Sequence, residues 1–408
     1  MAPLGRFVLL PLLAGPLAVG VSRADVVTDW DKKACDVVVD ARLGAPPANR
    51  VMAIVQTAVF EAVNAITRRY PAGPGTPQAP PGASVEAAVA AASRVTLGAL
   101  LPGRREAIDA SYQAALGAIA DGPGKGAGVT VGEQAAAAVL AARAEDGAAA
   151  GESYRPLATP GAWVPTTLPA VPQWPRRKPW LLASPSQFRP GPPPSFASER
   201  WARDYAEVKA LGGKVSAART AEQTEMARFW ETTLPPVYHG VVFSIALMPG
   251  REVTRNARLL AAVTQAADDA LIAVFDAKYQ YGFWRPITAI RNGDQDGNEA
   301  TERDPAWVPF IETPMHPEYP CAHCIVSGAI GAVLRAEIGA GPMPTLTSTS
   351  PSANGAARSW KGVDDFVAEV AAARIYDGVH YRNSAEVGSA MGKQVGELAA
   401  ARWLRPEK

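Results

Sequence analysis

Apolar residues recur every three or four positions along most of the chain, a spacing that predicts amphipathic helices. One such series consists of Val51, Val55, Ala58, Ala62 and Ile66. Similar stretches run near 84–101, 104–120, 131–147, 197–211, 219–232, 253–284, 322–338, 361–376 and 385–403. Alternating runs of β-branched residues are scarce, so the pattern predicts an all-α fold built as a multi-helix bundle.

Proline interrupts this pattern between residues 155 and 195, where regular helix cannot form. The same stretch contains three tryptophans, Trp163, Trp174 and Trp180. Large aromatic rings are stabilised by burial, so this stretch is more consistent with an ordered segment packed on the protein than with a free linker. We therefore predict that residues 155–195 form an ordered strap between an N-terminal helical region, 25–154, and a C-terminal helical region, 196–408. Residues 339–357, rich in Pro, Ser and Thr, predict a second loop.

The first residues have the organisation of an export signal. Arg6 precedes an apolar run at 7–21, and Ser22-Arg23-Ala24 provides small residues for signal cleavage. We expect residues 1–24 to be a signal peptide and the mature protein to be periplasmic or secreted; an uncleaved membrane anchor is the alternative. No later segment approaches the ~18 apolar residues that a bilayer span needs, so no membrane span is expected in the mature chain.

Composition narrows the function classes further. The 40 Lys and Arg residues nearly balance the 39 Asp and Glu residues, which leaves a formal charge of +1. Without a basic surplus the chain is not expected to bind nucleic acid. An apolar fraction of 48% and a mean hydropathy of −0.02 exclude a disordered protein. Cys35, Cys321 and Cys324 are too few for a disulfide scaffold, although an oxidising compartment would permit a Cys321–Cys324 bond. Oligomeric state has no signature in the sequence.

Three segments carry residues suited to chemistry. The first contains Lys278 and, after six residues, Arg285 followed by Pro286. Positions seven apart differ by about 20° around a helix, so both cations would share one helix face. Two such cations repel unless an anion joins them; a solvated basic face paired with Asp269 or Asp276 is the alternative.

The second segment runs from His316 to Cys324 and contains two histidines and two cysteines. Pro320 stands where the next helix would begin. The first turn of a helix presents free backbone N–H groups and a partial positive charge, which together favour an anion. His323 falls in this turn, where its imidazole can face the same anion.

The third segment holds Arg374 and His380, with Gly378 between them to turn the chain. A salt bridge from Arg374 to Asp377 beside a half-buried histidine is the alternative. Together the three segments offer what a tetrahedral oxyanion requires. Fixed cations and N–H groups would hold its oxygens, one histidine would lie on its axis, and the other would act as acid–base.

This order of residues resembles the signature of the superfamily that holds the vanadium-dependent haloperoxidases and the type-2 phosphatidic acid phosphatases. That signature reads K-x6-R-P, then P-S-G-H, then S-R-x5-H-x3-D, whose last position is Ser384 in this chain. In this chain the matching positions are Lys278/Arg285-Pro286, Pro320-Cys321-Ala322-His323 and Ala373-Arg374/His380. Arg50 with AIVQTAVFEAVNAI, and RTAEQTEMARFW, are also similar to the soluble, exported haloperoxidase-like branch. The resemblance thus covers nearly the whole mature chain.

The resemblance implies a role for each matched residue. Those implied to bind the oxygens of vanadate or phosphate are Lys278, Arg285, Cys321, Ala322 through its backbone N–H, and Arg374. His380 would be the axial vanadium ligand, or the nucleophile of a phosphatase, and His323 the acid–base. His316, five residues before Cys321, matches a position that holds His in bromoperoxidases, so bromide is the favoured halide.

Three functions are consistent with these residues. The leading one is a vanadate-dependent, haloperoxidase-like enzyme that oxidises halide with hydrogen peroxide. The second is a soluble acid phosphatase acting on phosphate esters without a cofactor, with His380 as nucleophile and His323 as general acid. Vanadate resembles the five-coordinate phosphoryl intermediate, so one cationic site suits both. The third is a periplasmic protein that binds copper or zinc through His316, Cys321, His323 and Cys324.

Overall fold

Helices dominate the structure, a computed structural model that describes residues 25–73 and 75–404. In chain order they are α1 (Val26–Asp40), α2 (Ala45–Thr67), α3 (Val85–Leu100), α4 (Arg105–Gly117), α5 (Pro123–Arg143), α6 (Glu199–Leu211), α7 (Ala221–Phe229), α8 (Pro235–Ala246), α9 (Val253–Tyr281), α10 (Pro286–Arg291), α11 (Ala322–Ile338), α12 (Val363–Tyr376) and α13 (Arg382–Trp403). In the described part of the chain the sole sheet is an antiparallel pair, β1 (Leu346–Ser350) and β2 (Ala356–Trp360). The all-α prediction is confirmed. The predicted signal peptide, residues 1–24, lies outside the described residues.

The core is organised around α9, which is buried without interruption from Leu259 to Lys278. A helix that is buried on every side must be central, and α2, α11 and α13 pack against it. On one side α2 also packs with α3 and α5, and on the other α11 packs with α12 and α13. Within residues 25–73 and 75–404 no helix is both long and apolar enough to cross a bilayer. Because α9 is central, its last turn brings Lys278 deep into the molecule.

Small residues bring α11 and α13 into backbone contact. A Cβ atom at Gly392 would lie 2.1 Å from the carbonyl oxygen of Ile325, so only hydrogen fits there. At the ends of the two helices the N–H of Cys321 donates to the carbonyl of Ser384 at 3.1 Å. This packing sets the start of α11 beside the start of α13, where the second and third chemical segments lie.

Residues 155–195 lie against α9 and form no α-helix. Asp269 accepts hydrogen bonds from three consecutive backbone N–H groups, those of residues 180–182, at 2.7, 2.7 and 3.0 Å. Its neighbour Asp268 forms a bidentate pair with Arg177 at 2.6 and 3.0 Å. A buried carboxylate needs such partners, so the two acids of the central helix fasten this proline-rich segment.

Three helices had not been predicted, namely α1, α8 and the short α10. α8 is apolar on most of its faces and rich in β-branched residues, so its sequence has no clear helical period; its two leading prolines fit a first turn. α1 does carry a helical spacing, at Val27, Trp30, Ala34 and Val38. That spacing is typical of an amphipathic helix and would have been sufficient to predict α1.

The loop predicted at residues 339–357 is wrong at 346–350, which form β1, and at 356–357, where β2 begins. The residues of β1 alternate between buried and exposed, and Leu346 pairs with Trp360 on β2. Asn354 and Gly355 form the turn, with φ of 53° and 77°. The alternating residues are mostly Ser and Thr, so a pattern of apolar positions cannot reveal the strand.

Candidate active site

The first two cations do not share a helix, contrary to the prediction from their spacing. α9 ends at Tyr281, and Gly282 follows with a φ of 55° in the left-handed conformation. Arg285 then precedes Pro286, the first residue of α10. Lys278 and Arg285 are nevertheless both buried, at 0% and 1% exposure. They reach one region from two separate helix ends.

The alternative pairing of these cations with acids of α9 does not occur. Asp269 binds the backbone of residues 180–182, as described above. Asp276 instead pairs with Arg189, whose guanidinium donates to both carboxylate oxygens at 2.7 Å. The strap thus occupies the carboxylates that would otherwise neutralise Lys278 and Arg285.

α11 begins at the same region. Cys321 caps its N-terminus, Ala322 is its first residue and His323 its second. The N–H groups in the first turn of a helix have no acceptor within that helix. Ala322 and His323 therefore provide backbone donors as well as an imidazole.

In the third segment, Gly378 turns the chain between Arg374 and His380. Arg374 lies in the last turn of α12, and Gly378 follows with a φ of 78°. A Cβ atom at Gly378 would lie 2.1 Å from the carbonyl oxygen of Gly212, so no other residue fits. The N–H of His380 donates to the carbonyl of Arg374 at 3.3 Å, which brings the two side chains to one place.

The second and third segments line one cavity of about 510 Å³, and Arg285 of the first segment contacts two of its wall residues, His316 and His380. Its wall includes the predicted residues His316, Ala322, His323, Arg374 and His380. The apolar part of the wall comes from Leu271, Phe275, Pro314 and Met315. Arg285 lies behind this wall, with Nη1 at 3.2 Å from Nε2 of His380.

Positive charge is concentrated beside the cavity. Burial, together with the charge of Arg285, lowers the pKa of Lys278 well below its ordinary value. Burial, opposed by Glu318 and reinforced by Arg374, lowers the pKa of Arg285 to about 9, so this guanidinium is still protonated at neutral pH. An anion among the three cations would remove the repulsion that contributes to these shifts.

Several buried N–H groups of these cations have no partner. Nη1 of Arg374 donates to the carbonyl of Trp230 at 2.6 Å and to the carboxylate of Asp377. Its Nε and Nη2 have no partner among the described residues, although the side chain is fully buried. Lys278 donates to two backbone carbonyl groups, at 2.9 and 2.8 Å, which leaves one of its three N–H bonds. Buried donors are rarely left unpaired, so these groups fit the oxygens of a tetrahedral oxyanion such as vanadate or phosphate.

A carboxylate orients His380. Oε1 of Glu318 lies 2.7 Å from Nδ1 of His380 and 3.2 Å from the backbone N of Tyr381. Burial raises the pKa of Glu318 to about 7, against the effect of Lys278 and Arg285. Burial and the neighbouring cations lower the pKa of His380 well below its ordinary value, so the ring is neutral. With its proton on Nδ1, the ring has a lone pair on Nε2, which here faces Nη1 of Arg285 at 3.2 Å. A metal ligand or a nucleophile requires this lone pair.

The other two histidines are also neutral. Burial, with the charge of Arg374, lowers the pKa of His323, and Oγ1 of Thr233 lies 2.7 Å from its Nε2. His316 has a lowered pKa because it is buried beside Lys278 and Arg285. Nδ1 of His316 lies 3.0 Å from Nη2 of Arg285 and 3.1 Å from the carbonyl oxygen of Pro317. Neutral rings at the cavity wall are able to take up a proton from a bound acid.

The structure corrects the expected role of Cys321. Its sulfur is bonded to that of Cys324 and is fully buried, so it has no S–H to donate to an oxyanion. The copper or zinc site predicted as an alternative at His316, Cys321, His323 and Cys324 is wrong for the same reason, because the two sulfurs are joined to each other.

Two residues of the site had not been predicted. Glu318 stands inside the second segment, and a carboxylate between two histidines of one motif is a signal that sequence reasoning could have used. Thr233 comes from the loop before α8 and belongs to none of the three segments. Only the tertiary structure reveals its contact with His323.

One family model matches the C-terminal part of the chain. A family model described as the VCPO second helical-bundle domain matches residues 258–406. The vanadium chloroperoxidase of Curvularia inaequalis is 29% identical over 31% of this chain and 25% of its own length. The chain thus spans about a quarter of the length of that curated relative.

Solved structures share the fold over nearly the whole chain. A structure described as the first bacterial vanadium-dependent iodoperoxidase has a TM-score of 0.79 at 24% identity, covering 93% of this chain and 96% of that one. The holo form of a bacterial vanadium-dependent chloroperoxidase has a TM-score of 0.74 at 18% identity, covering 96% of each chain. The chain therefore has the helical-bundle fold of these vanadium-dependent peroxidase structures, and its residues 258–406 are similar to the VCPO second helical-bundle domain.

Proposed function

We propose that the chain is a vanadate-dependent peroxidase that oxidises bromide with hydrogen peroxide. In this reaction peroxide is reduced to water while bromide and a proton become hypobromous acid. The observation that supports it best is the pair of unpartnered, buried N–H groups of Arg374 beside a cavity. Buried donors of this kind favour a resident oxyanion over an empty site.

Each residue then has a defined task. Lys278, Arg285 and Arg374, with the N–H groups at the start of α11, hold the oxygens of vanadate. Nε2 of His380 would hold the vanadium, and its contact with Nη1 of Arg285 would give way to that bond. Bound vanadate would supply Lewis-acid activation of hydrogen peroxide. Glu318 keeps the proton of His380 on Nδ1 and thereby keeps Nε2 available.

His323 is the proposed acid–base. Its ring is neutral, lies at the cavity wall and is steadied by Thr233, so it can accept a proton from entering peroxide. His316 lines the same cavity, and we propose that it favours bromide over the other halides. The relatives in the comparison are named for iodide and for chloride, so the halide is a question for the assay.

The decisive experiment compares the purified protein with and without added orthovanadate. Bromide with peroxide, then iodide and chloride, should be oxidised only after vanadate is added, with bromide fastest. A chromogenic phosphate ester tests the phosphatase alternative, in which His380 attacks phosphorus and His323 protonates the leaving alcohol. Ester hydrolysis that vanadate inhibits, with no halide oxidation, would replace our proposal by that alternative.

We also propose that the protein is exported, with residues 1–24 removed as a signal peptide. N-terminal sequencing of the protein purified from cells should begin near residue 25. A chain that retains its first residues and sediments with membranes would contradict this proposal.

A further inference from the structure

A second group of metal-ligating side chains lies in the core, separate from the cavity of the candidate active site. Asp31 and Cys35 are four residues apart on α1, so they lie on one face of that helix. His239 comes from α8. The three residues are 0%, 4% and 2% exposed. Their carboxylate oxygen, sulfur and ring nitrogen all lie within 4.8 Å of one another.

The distances in this group approach those of a tetrahedral metal centre. Sγ of Cys35 lies 3.7 Å from Nδ1 of His239 and 4.0 Å from Oδ2 of Asp31. Ligands at the usual zinc bond lengths stand about 3.5 Å apart. The remaining pair, Nδ1 of His239 and Oδ2 of Asp31, is a hydrogen bond of 2.7 Å. Opening that one contact by roughly 0.6 Å would admit an ion.

Three groups contact the carboxylate of Asp31, namely the thiol of Cys35, the amide of Gln56 and the ring of His239. One acceptor beside it is nevertheless unpaired. Gln56 donates from Nε2 to Asp31 at 2.8 Å, but its Oε1 has no partner although the residue is 1% exposed. Within the described residues Asp31 has no ion pair with lysine or arginine. An unpaired acceptor beside a carboxylate that lacks a cation, in an apolar core, favours a bound metal ion.

A catalytic cysteine is excluded by the same geometry. In a catalytic triad the nucleophile and the orienting acid use opposite nitrogens of the imidazole. Here Cys35 and Asp31 both contact Nδ1 of His239. Burial, with the charges of Asp31 and Asp36, also keeps the pKa of the Cys35 thiol well above its ordinary value, so it is not activated for attack.

We propose that Asp31, Cys35 and His239 form a structural site for a divalent transition metal, for which zinc is the best fit. Carboxylate, thiolate and imidazole are the ligands that zinc accepts in tetrahedral sites. Oε1 of Gln56 or a water molecule completes the shell. On binding, the S–H bond of Cys35 breaks, its proton leaves to solvent, and the electron pair forms the bond to the metal without any change of oxidation state. The ring of His239 gives up the Nδ1 proton that it shares with Asp31 and carries its single proton on Nε2, so the lone pair of Nδ1 binds the metal.

The ion would join two helices that are distant in sequence. α1 is the first described helix, and α8 begins two residues after Thr233, which contacts His323. A metal bond between α1 and α8 would therefore steady the loop that supports the proposed acid–base. The site is independent of vanadate, so its test does not depend on the proposed function.

The test is cobalt(II) binding to the purified full chain in the absence of vanadate. Because Cys321 and Cys324 are bonded to each other, only Cys35 can supply a thiolate, and a sulfur-to-cobalt charge-transfer band identifies this site. We expect about one equivalent of cobalt with that band, displaced by zinc. Cys35→Ser should lose the band and the bound zinc, whereas Asp36→Asn, at an exposed neighbour on α1, should keep both.

Gln56→Ala provides a graded variant that keeps all three ligands. Removing the amide that orients Asp31 should weaken zinc binding roughly 10–100-fold. Folded wild-type protein that takes up cobalt without a thiolate band, or takes up none, overturns the proposal regardless of how the variants fold. The three side chains would then be a hydrogen-bonded core group and nothing more. A band that persists in folded Cys35→Ser protein overturns it as well.

Discussion

Arg374→Met tests the oxyanion site directly, because it removes the unpartnered donors and little else from the cavity wall. The wild-type guanidinium uses Nη1 for Trp230 and Asp377, while Nε and Nη2 remain for an anion. A hydrogen bond from a charged donor contributes about 1.5–3 kcal/mol. Two lost donors therefore cost at least about 3 kcal/mol of binding free energy, which is more than a 100-fold loss of vanadate affinity.

The assay is stabilisation of the fold by added vanadate. A ligand at 100 times its dissociation constant stabilises the native state by about 2.7 kcal/mol. If the constant rises 100-fold, the same concentration contributes only about 0.4 kcal/mol. We therefore expect a clear vanadate-dependent rise in the unfolding temperature of the wild type and almost none in Arg374→Met.

A matched control separates lost binding from lost stability. Arg251 is a second largely buried arginine, with a side chain 7% exposed and paired with Glu337. Arg374→Met leaves the buried carboxylate of Asp377 unpaired, which costs about 3–5 kcal/mol of unfolding free energy. Arg251→Met also removes a buried ion pair, but Glu337 keeps Arg255 and Arg258 as partners, so its cost should be smaller. Only Arg374→Met should lose the response to vanadate. A full response in folded Arg374→Met protein would refute the assignment of this cavity as an oxyanion site.

Three further predictions follow from the packing around the site. Glu318→Ala should lower halide oxidation by roughly 10–100-fold, and more than Glu318→Gln, whose amide oxygen can still accept from His380; equal losses would contradict the orienting role. Arg177→Leu, at a fully buried bidentate pair, should lower the free energy of unfolding by about 3–5 kcal/mol. Arg189→Leu, whose side chain is 32% exposed, should cost under about 1 kcal/mol; similar values in chemical denaturation would show that the strap is not fastened as described. Burial raises the pKa of Asp146, but the charges of Arg50 and Arg177 outweigh this effect and lower the pKa to about 2, below its ordinary value of 3.8. The stability that Asp146 contributes is therefore present above about pH 4 and lost as the pH falls through 2, so Asp146→Asn should show a shallower acid decline in thermal unfolding.

Local periodicity was sufficient for most of the helices. The stretches predicted near 253–284 and 322–338 correspond to α9 and α11, since the spacing of apolar residues along a helix depends on that helix alone. Apolar periodicity did not predict the elements that lack one apolar face and one polar face. α8 is apolar nearly all round, and β1 places Ser and Thr at its buried positions, so neither presents the expected contrast between faces.

The motif identified most of the site but gave a wrong reason for its first part. Spacing suggested one helix face for Lys278 and Arg285, whereas a left-handed residue at Gly282 ends the helix between them. The two side chains still converge because the chain after α9 folds back. A helix end of this kind depends on backbone conformation at one residue, which spacing does not report.

The sequence alone determined that this chain is helical, that its cations and histidines occur in three ordered segments, and which superfamily that order resembles. Only the tertiary structure decided that Glu318 contacts His380 across 62 residues, that Cys321 is bonded to Cys324, and that Asp31 meets His239 across 208 residues. The physical reason is that protonation, hydrogen bonding and metal binding depend on burial and on neighbours from distant parts of the chain. Those neighbours are set by how the helices pack around α9, which no single stretch of sequence contains.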